Sequence, residues 1–595
     1  MPRFLMRFAW LMGIAGTLLS VRPIAAQDDA QLRKIAADAY DVFSNHCYSC
    51  HGAQIKFPGL YILEQDSLIA DRGEDLDRYV EPGKPEESEV WYRAVSIGDM
   101  PPSGPLSDEE KDKIVKWIEA GAPKLAPISN RDFISEEEIL KSISQYLFNE
   151  VRKEDAPKVR FFSIAHLHNN PTVPAKHLRL YRAALSKVIN SMSQGSRIVV
   201  PKAIDQNNAV FAVFLPDLRW DVLGEWDKVV KAYPYGLKPS DTDARDEYDK
   251  IEELQGAFFD GIAYIKADWF IVEASKPPLY YDLVGVPETL QELEEELGIE
   301  FEDDFRENRL VRAGMFESGV STQNRLVERR ESLGGKMYWI SYDFKGDAGR
   351  SNLARFPLGP EFEGNPFNNA AFEHDGGEVI WELPNGMHAY MLALADGKRI
   401  DAGPVDIVFD PSGTSGSPLI VNGLSCMNCH EHGTIPLKDD IREGHALANN
   451  DAEKKVRELY PPKETMDRLL REDRDNYLRA LTKAMGPFLL VEEDEMNEDG
   501  SKKKIDDSSF PEPVSFVAKR YEKNVTLDVA VAELGLNDGE DLRRLLFSKR
   551  LVQLGLAPLA RQNGSIKRGY WDTDDTSNSV FQEVASELRV GTPVN

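Results

Sequence analysis

Two copies of one five-residue pattern contain all four cysteines of this chain, in residues 47–51 (CYSCH) and 426–430 (CMNCH). Two thiols three positions apart can each add to one vinyl group of a haem, and the adjacent imidazole then reaches the iron as its proximal ligand. The pattern therefore predicts two covalently bound haem c groups. The predicted haem-binding residues are Cys47, Cys50, His51, Cys426, Cys429 and His430.

A Cys-x-x-Cys pair by itself also occurs in redox dithiols, in disulfides and in half of a zinc site. Neither copy has a second cysteine pair nearby, and neither lies in a thioredoxin-like βαβ pattern. One zinc site assembled from both copies remains an alternative. The histidine that follows each pair favours haem attachment.

The N-terminus has the pattern of an export signal. Arg3 and Arg7 form a basic segment, an apolar run extends from Phe8 to Val21, and Ala26 precedes a plausible cleavage position. We expect residues 1–26 to be removed and the mature protein to be periplasmic or otherwise exported. An uncleaved membrane anchor is the alternative, because the apolar run with its flanks approaches the lower length limit of a membrane span. No later segment is long and apolar enough to form an integral membrane span.

Acidic side chains outnumber basic ones, with 100 Asp and Glu against 71 Lys and Arg and a formal net charge of −29. Loss of Arg3, Arg7 and Arg22 with the signal would bring the net charge to −32. This charge argues against nucleic acid and anionic membrane surfaces as partners. It would attract a basic redox partner protein, although acidity also serves solubility.

Residues 27–125 are expected to form a first domain that ends in a helix. Apolar residues recur with helical spacing over 31–45, directly before the first cysteine pair. A capping box over 107–110 predicts the start of a second helix, and Gly121 predicts its end. Two helices therefore bracket the first predicted haem.

Met100 lies between these helices. The two prolines that follow it disfavour a helix and keep the chain extended. The thioether of Met100 is the expected distal ligand of the first haem. A core methionine is the ordinary alternative for this residue type. His46 is a second alternative, but its position next to Cys47 leaves little room to reach the opposite haem face.

Residues 45–52, 98–102 and 117–123 resemble the small cytochrome c domains of planctomycete-type proteins. The resemblance covers about the first fifth of the chain. It implies a class I cytochrome c fold with His51 and Met100 as axial ligands, and a role in electron transfer. It implies nothing about the rest of the chain.

The central region is expected to be mixed α+β. Over 126–300 the patterns predict a helix at 178–192, a hairpin between 197–200 and 209–214, and a helix at 288–297. The segment 301–450 is expected to be β-rich and to carry the second haem motif.

Predicted strands at 378–383, 387–395 and 405–409 precede that motif. Residues 423–430 resemble uncharacterised multidomain bacterial c-type cytochromes. From 451 to 595 the chain is expected to be mainly helical. The sequence thus predicts a multidomain protein with an N-terminal all-α cytochrome c domain, a central mixed α+β region and a C-terminal helical region.

The sixth ligand of the second iron is not fixed by sequence order or spacing. His374 is the first choice. The other candidates are Met387, His388, His432, His445, His166, His168 and His177. Each of these side chains has other common uses.

Two functions fit these patterns. The first is an exported dihaem cytochrome that transfers electrons between its haems and a redox partner. The second is a dihaem peroxidase-like or oxygenase-like enzyme, in which the first haem relays electrons to a second haem that has an open distal side. The chain is large for a simple electron carrier, but size does not establish chemistry.

Overall fold

The computed structural model divides the chain into two compact units, Met1–Asn130 and Arg131–Asn595. It describes residues 24–51, 60–63, 65–73, 78–101, 104–125, 131–318, 323–405, 407–410, 412–444, 446–447, 449–489, 510–561, 564–573 and 578–594. The expected signal segment lies almost entirely outside these residues. The unit boundary falls close to the end of the expected cytochrome domain at residue 125.

The described part of the first unit contains five α-helices and a short π-helical turn at Tyr92–Ile97. The helices are α1 (Ile24–His46), α2 (Tyr48–His51), α3 (Gln65–Ile69), α4 (Glu89–Trp91) and α5 (Asp108–Glu119). The predicted capping box is present at α5, where the Ser107 hydroxyl accepts from the Glu110 amide and the Glu110 carboxylate accepts from the Ser107 amide. Phe43 of α1 and Trp117 of α5 meet edge to face in the core, with 5.4 Å between ring centroids.

The second unit begins with helices around a small mixed sheet. Its helices are α6 (Glu136–Asn149), α7 (Ala165–Asn169), α8 (Ala175–Ser191), α9 (Leu215–Leu218), α10 (Glu225–Ala232), α11 (Thr242–Gln255), α12 (Ala267–Ala274), α13 (Leu279–Val284), α14 (Leu290–Leu297) and α15 (Phe301–Glu307). Its strands are β1 (Val159–Ser163), β2 (Lys202–Ala203), β3 (Val210–Phe214), β4 (Leu237–Pro239) and β5 (Ile265–Lys266). The sheet order is β2-β3-β1-β5, with β1 antiparallel to β3 and parallel to β5. Helices α8 and α14 confirm the two helices predicted in this region.

The predicted hairpin is present with a shifted first strand. β3 pairs with Lys202–Ala203 rather than with residues 197–200. The prediction of a strand over 197–200 is wrong, because the backbone there forms hydrogen bonds with a side chain instead of a neighbouring strand. The amide of Val199 donates to Oδ1 of Asn190 and its carbonyl accepts from Nδ2 of Asn190, both at 2.7 Å.

A six-stranded antiparallel meander dominates the middle of the second unit. Its strands are β6 (Val311–Met315), β7 (Arg325–Ser332), β8 (Lys336–Asp343), β9 (Gly376–Glu382), β10 (His388–Leu394) and β11 (Arg399–Ile400). Every strand pairs with its neighbour in sequence. Two short strands, β12 (Ala402–Gly403) and β13 (Ile420–Val421), then lead into helix α16 (Leu424–Cys429), which carries the second cysteine pair.

β9 and β10 confirm two of the predicted strands, and the third, over 405–409, is wrong. The amides of Ile407 and Val408 both donate to the carbonyl of Pro404, at 2.9 and 3.0 Å. Their backbone groups close a local turn, so the described part of this segment forms no ladder. β11 takes the next place in the sheet.

The rest of the unit is mainly helical, as expected. Its helices are α17 (Asn450–Leu459), α18 (Lys463–Leu489), α19 (Pro513–Tyr521), α20 (Leu527–Glu533), α21 (Glu540–Leu545), α22 (Lys549–Gln553), α23 (Arg568–Trp571) and α24 (Val580–Glu587). Its short strands are β14 (Val525–Thr526), β15 (Ser565–Ile566) and β16 (Gly591–Pro593), and β16 pairs with β4. One hydrophobic core runs through residues 134–585, across the expected boundaries at 300 and 450. No helix in the described ranges has the length and apolarity needed to cross a membrane.

Candidate functional site

The first cysteine pair continues the helical path of α1. The amide of Cys47 donates to the carbonyl of Phe43 at 3.0 Å, and the amide of His51 donates to the carbonyl of Cys47 at 2.9 Å. Cys47 is half-buried against the core of the unit. His51 is also half-buried, and burial lowers the pKa of its imidazole below the usual 6.5. A neutral imidazole is the form that binds metal ions.

His46 is held by the other helix of the first unit. Its Nε2 lies 2.7 Å from Oε1 of Glu110, the residue that also caps α5. The Ser107 amide and hydroxyl, together with His46, lower the pKa of the Glu110 carboxyl. This contact joins α1 to α5 immediately before the cysteine pair.

Met100 lies in a loop that is closed by contacts with Arg93. Gly98 has the left-handed φ of +71° and ends the π-helical turn. The Met100 amide donates to the carbonyl of Arg93 at 3.3 Å, and Arg93 pairs with Asp99 at 2.8 Å. Met100 itself is half-buried. Its role as the distal ligand of the first haem stays a prediction.

The second cysteine pair lies on α16, so that its thiols and imidazole share about one helical turn. The amide of His430 donates to the carbonyl of Cys426 at 2.8 Å. Cys426 is buried and Cys429 is half-buried. The helix starts at Gly423, which has a φ of +81°, and a Cβ there would lie 2.6 Å from the carbonyl oxygen of Ser275. Only glycine allows this close approach of α16 to the chain after α12.

A cavity of about 780 Å³ opens beside this motif, between α16 and one face of the meander. Cys426, Cys429 and His430 all line it. Most of its wall is apolar, contributed by strands β7, β9 and β10 and by the loops around α16. Examples of these lining residues are Val327, Ile380, Leu392, Ile407, Val408 and Ile435. The volume lies within the range of about 300–1,000 Å³ that is usual for cofactor pockets.

His430 presents one ring nitrogen to this cavity. Its Nδ1–H donates to the carbonyl of Gly433 at 3.2 Å, which leaves Nε2 as the nitrogen that could bind a metal ion. Nε2 lies 3.7 Å from Oε2 of Glu378. The ring of Tyr390 lies nearly parallel to the imidazole, with 6.0 Å between centroids.

Glu378 is one of the charged residues in the mainly apolar wall of the cavity. Burial would raise its pKa, but His430 and Arg325 outweigh burial and bring the pKa to about 2. Arg325 forms two hydrogen bonds to Asp343, at 2.5 and 3.1 Å. The Glu378 amide donates to the hydroxyl of Ser341 at 2.9 Å. The cavity thus holds one carboxylate next to the imidazole and one paired cation beside it.

The two thiols of the second motif are not activated as nucleophiles. Burial, together with the nearby Glu378 carboxylate, raises the pKa of Cys426 well above 9, and the same causes raise the pKa of Cys429 to about 12. Reactive dithiols have a lowered thiol pKa. This surrounding disfavours a redox dithiol at Cys426 and Cys429.

The structure places His374 beside the cavity but not among its described lining residues. Its ring packs edge to face on Tyr342 and Phe372, with centroid distances of 5.0 and 6.0 Å. Burial lowers the pKa of His374. Its assignment as the distal ligand of the second haem stays a prediction, and this packing does not favour it.

The other candidate ligands have different surroundings. His388 is buried and stacks on Tyr477 at 4.1 Å. His432 Nε2 lies 3.0 Å from the carbonyl oxygen of Phe510. Met387 is fully buried in the core, and His445 lies outside the described residues. None of the three described side chains lines the cavity at Cys426.

The histidines of the middle region lie elsewhere in the second unit. His168 Nε2 lies 3.0 Å from the carbonyl oxygen of Asp132, and the ring of His177 lies 4.9 Å from that of Phe516. His166 Nε2 lies 2.9 Å from Oδ1 of Asp268, with both side chains buried. None of these three histidines lines the cavity at Cys426.

A second cavity, of about 680 Å³, is lined by His166 and by other polar side chains. Among them are Lys266, whose pKa burial lowers, and Glu136, whose pKa burial raises and which accepts from Tyr264 at 2.7 Å. The two cavities share no described lining residue. Among the described residues, no group of three or more His, Cys, Asp or Glu side chains is arranged to hold a metal ion.

The sequence analysis singled out the cysteines and His430 but not Glu378, Arg325 and Tyr390, which lie around His430 in the structure. Glu378 stands at the start of a correctly predicted strand, and period-two alternation places it on the same face as Ile380. That face proves to be the cavity wall. The sequence signal that could have indicated this site is the acidic Glu378 on the same strand face as the apolar Ile380.

Comparison with known families gives one match, in the first unit. The family model described as Planctomycete cytochrome C matches residues 47–104, a segment that includes the first cysteine pair, His51 and Met100. Comparison with curated proteins and with solved structures gives no significant match. The first unit therefore contains a cytochrome c-like domain, which implies covalently bound haem c and points to haem-based electron transfer.

Proposed function

We propose that this protein is an exported dihaem c-type cytochrome that transfers electrons between its two haems and a redox partner protein. The family match supports the first haem, at Cys47, Cys50 and His51. The observation that carries the second haem is the cavity at residues 426–430, because both thiols and the imidazole of one CxxCH motif line its wall.

The residues present at this cavity fit a haem in three respects. The volume suits a cofactor, the wall is mainly apolar, and α16 holds the two thiols within one helical turn. A bound haem c supplies an iron that exchanges single electrons between its ferrous and ferric states. His430 would hold that iron through Nε2, and the Gly433 carbonyl fixes the orientation of the ring.

We also propose that the protein is exported and that its redox partner is a basic protein. The basic and apolar pattern of residues 1–26 supports export, where covalent haem attachment takes place. The net charge of −29 supports a basic partner protein, because opposite charges speed diffusional encounter. Nucleic acid is the partner class that this charge supports least.

The number of haems tests the proposal directly. Pyridine haemochrome analysis and intact mass of the exported holoprotein should give two haems per chain. The paired variants Cys47→Ala with Cys50→Ala, and Cys426→Ala with Cys429→Ala, should each lose one haem and serve as controls for each other. A wild-type protein with a single haem that the second variant retains would overturn the dihaem assignment.

One feature favours a second function, a peroxidase-like or oxygenase-like enzyme. Glu378 and Arg325 place a carboxylate and a cation in the cavity beside His430, where the carboxylate could accept a proton from a reacting group. Such an enzyme should oxidise a chromogenic electron donor with hydrogen peroxide or oxygen, and the variant that lacks Cys426 and Cys429 should not. Absence of turnover in the dihaem protein would leave electron transfer as the function.

A further inference from the structure

His430 and Glu378 face each other across a gap that a metal ion would fit. Nε2 of His430 and Oε2 of Glu378 are 3.7 Å apart, and the other ring nitrogen is already bonded to Gly433. Imidazole nitrogen and carboxylate oxygen bind first-row metal ions such as Zn²⁺ at about 2.0–2.2 Å. Two such donors on opposite sides of one ion therefore stand about 4 Å apart, close to the separation seen here.

We propose that Glu378 is the distal ligand of the second haem iron, opposite His430. This inference rests on the proposed haem at Cys426 and Cys429 and adds the ligand that the sequence left open. It makes the second haem a His/carboxylate centre, unlike the His/Met centre expected in the first unit.

The sheet holds the Glu378 carboxylate in place. Glu378 lies on β9 and pairs with Leu392 of β10, and its amide donates to Ser341 of β8. The neighbouring Gly377 allows this approach, because a Cβ there would lie 1.9 Å from the Ser341 carbonyl oxygen. A ligand on a paired central strand is positioned more rigidly than one on a loop. The Glu378 side chain is only 16% exposed.

The charges around Glu378 suit a metal-bound carboxylate. Arg325 lines the same cavity as Glu378, and Asp343 holds its guanidinium with two hydrogen bonds. A metal-bound carboxylate must be deprotonated, and a cation in the same cavity favours that form.

The described competitors are worse placed. His374 and His388 do not line the cavity, and their rings pack against Tyr342 and Tyr477. Met315 does line the cavity, but it lies on β6, three strands away from β9. At about 4.8 Å between neighbouring strands, the β6 backbone lies roughly 14 Å from that of β9, whereas the Glu378 carboxylate lies 3.7 Å from Nε2 of His430.

A carboxylate ligand has consequences for electron flow. A thioether stabilises ferrous iron and raises the reduction potential, whereas an anionic oxygen ligand stabilises ferric iron. The second haem should therefore have the lower potential of the two. Electrons would pass from the haem at His430 to the haem at His51.

Spectra of the ferric holoprotein test the ligand. Carboxylate is a weak-field ligand, so electron paramagnetic resonance should show one low-spin and one high-spin haem. Glu378→His should convert the high-spin signal to low-spin, and Glu378→Gln should shift that signal and raise the midpoint potential of the second haem. His374→Ala, and Glu382→Gln on the same strand, should leave the signal and the potential unchanged.

The haem count separates failure of the ligand from failure of the proposed function. A Glu378→Gln protein with two haems and an unaltered signal and potential would overturn the ligand assignment, as would a signal that changes only in His374→Ala. If Glu378→Gln does not fold, the Glu378→His protein decides by its spin state alone. A wild-type protein without haem at Cys426 and Cys429 would overturn both proposals.

Discussion

The imidazoles of His51 and His430, the two proposed proximal ligands, differ in what surrounds them. His51 follows a continuous helix in a small unit, whereas His430 is oriented by a backbone carbonyl and faces a carboxylate on a sheet. Neighbours of this kind set the electronic properties of a bound iron. The differences between the two sites therefore arise from single residues that lie outside the shared motif.

Replacement of Met100 by alanine tests the ligand of the first haem. Loss of the thioether should convert that haem from low-spin to a high-spin or water-ligated state and lower its potential, because Met/His ligation raises the potential. Absorption spectra and a redox titration measure both effects. Met427, which stands between the cysteines of the other motif and is buried, is the matched control. An unchanged spectrum in Met100→Ala would reject the assignment.

His177 should make the second unit sensitive to acid. Burial, together with Arg520 and Lys176, lowers its pKa to about 3, whereas the unfolded chain has a value near 6.5. The folded state then binds fewer protons between these values, so stability falls as the pH drops from 6.5 towards 3, by at most about 5 kcal/mol. In His177→Gln the urea midpoint should fall less over this range. Equal pH dependence in both proteins would contradict the lowered pKa.

The sequence predicts some site residues better than others because their chemistry is local. Cys426, Cys429 and His430 lie within five positions, and the haem attachment proposed for them requires a spacing that is visible in the chain. Glu378 reaches His430 only through strand pairing and the placement of α16, across 52 positions of sequence. No local pattern encodes such a contact.

Elements with local hydrogen-bond signals were likewise predictable. α5 and α14 begin at capping boxes formed by Ser107 and Thr289. β7 was missed because its buried face carries charges, including Glu328 and Arg330, so apolar and polar residues do not alternate. The turn at Pro404 was missed because Val405–Phe409 has strand-like composition but bonds locally.

The buried charges of β6 and β7 should be important for the stability of the sheet. Glu328 bonds to both Arg312 and Arg330, and all three side chains are almost completely buried. Glu328→Gln would leave the buried Arg312 without an anion and Arg330 with Asp304 alone, at a cost of about 3–5 kcal/mol. Chemical denaturation followed by far-ultraviolet circular dichroism measures this loss.

The matched control for Glu328 is Glu331→Gln on the same strand. The Glu331 side chain is 67% exposed, so its removal should change the unfolding free energy only slightly. Equal effects of the two substitutions would show that the Arg312–Glu328–Arg330 group does not hold the sheet together.

At the scale of the whole molecule, the two compact units bring different chemistry to one chain. The first contains the cytochrome c-like domain, and the second contains the meander, both cavities and the long core. The acidic surplus can be counted directly in the sequence. The single hydrophobic core of the second unit cannot be predicted from composition. Shared cores depend on contacts between distant elements, such as the buried pair of Lys187 and Glu512 at 2.9 Å.

The acidic surplus should control the rate of electron exchange with charged reagents. At a net charge of −29, a tris-phenanthroline cobalt(III) cation is attracted to the protein and a hexacyanoferrate(III) anion is repelled. The Debye length falls from about 30 Å at 10 mM salt to a few ångströms near 500 mM. Over this range the oxidation of the reduced protein by the cation should slow by about tenfold, while oxidation by the anion should become faster.

Stopped-flow absorption of the haems measures both rates, and the paired cysteine variants show which haem reacts. The two reagents control for each other, because general effects of salt on the protein would change both rates in the same direction. Opposite salt dependences would show that the surface around the reacting haem is acidic, as a basic redox partner requires. Identical salt dependences would mean that the negative charge lies away from the site of electron exchange, and the proposal of a basic partner would then fail.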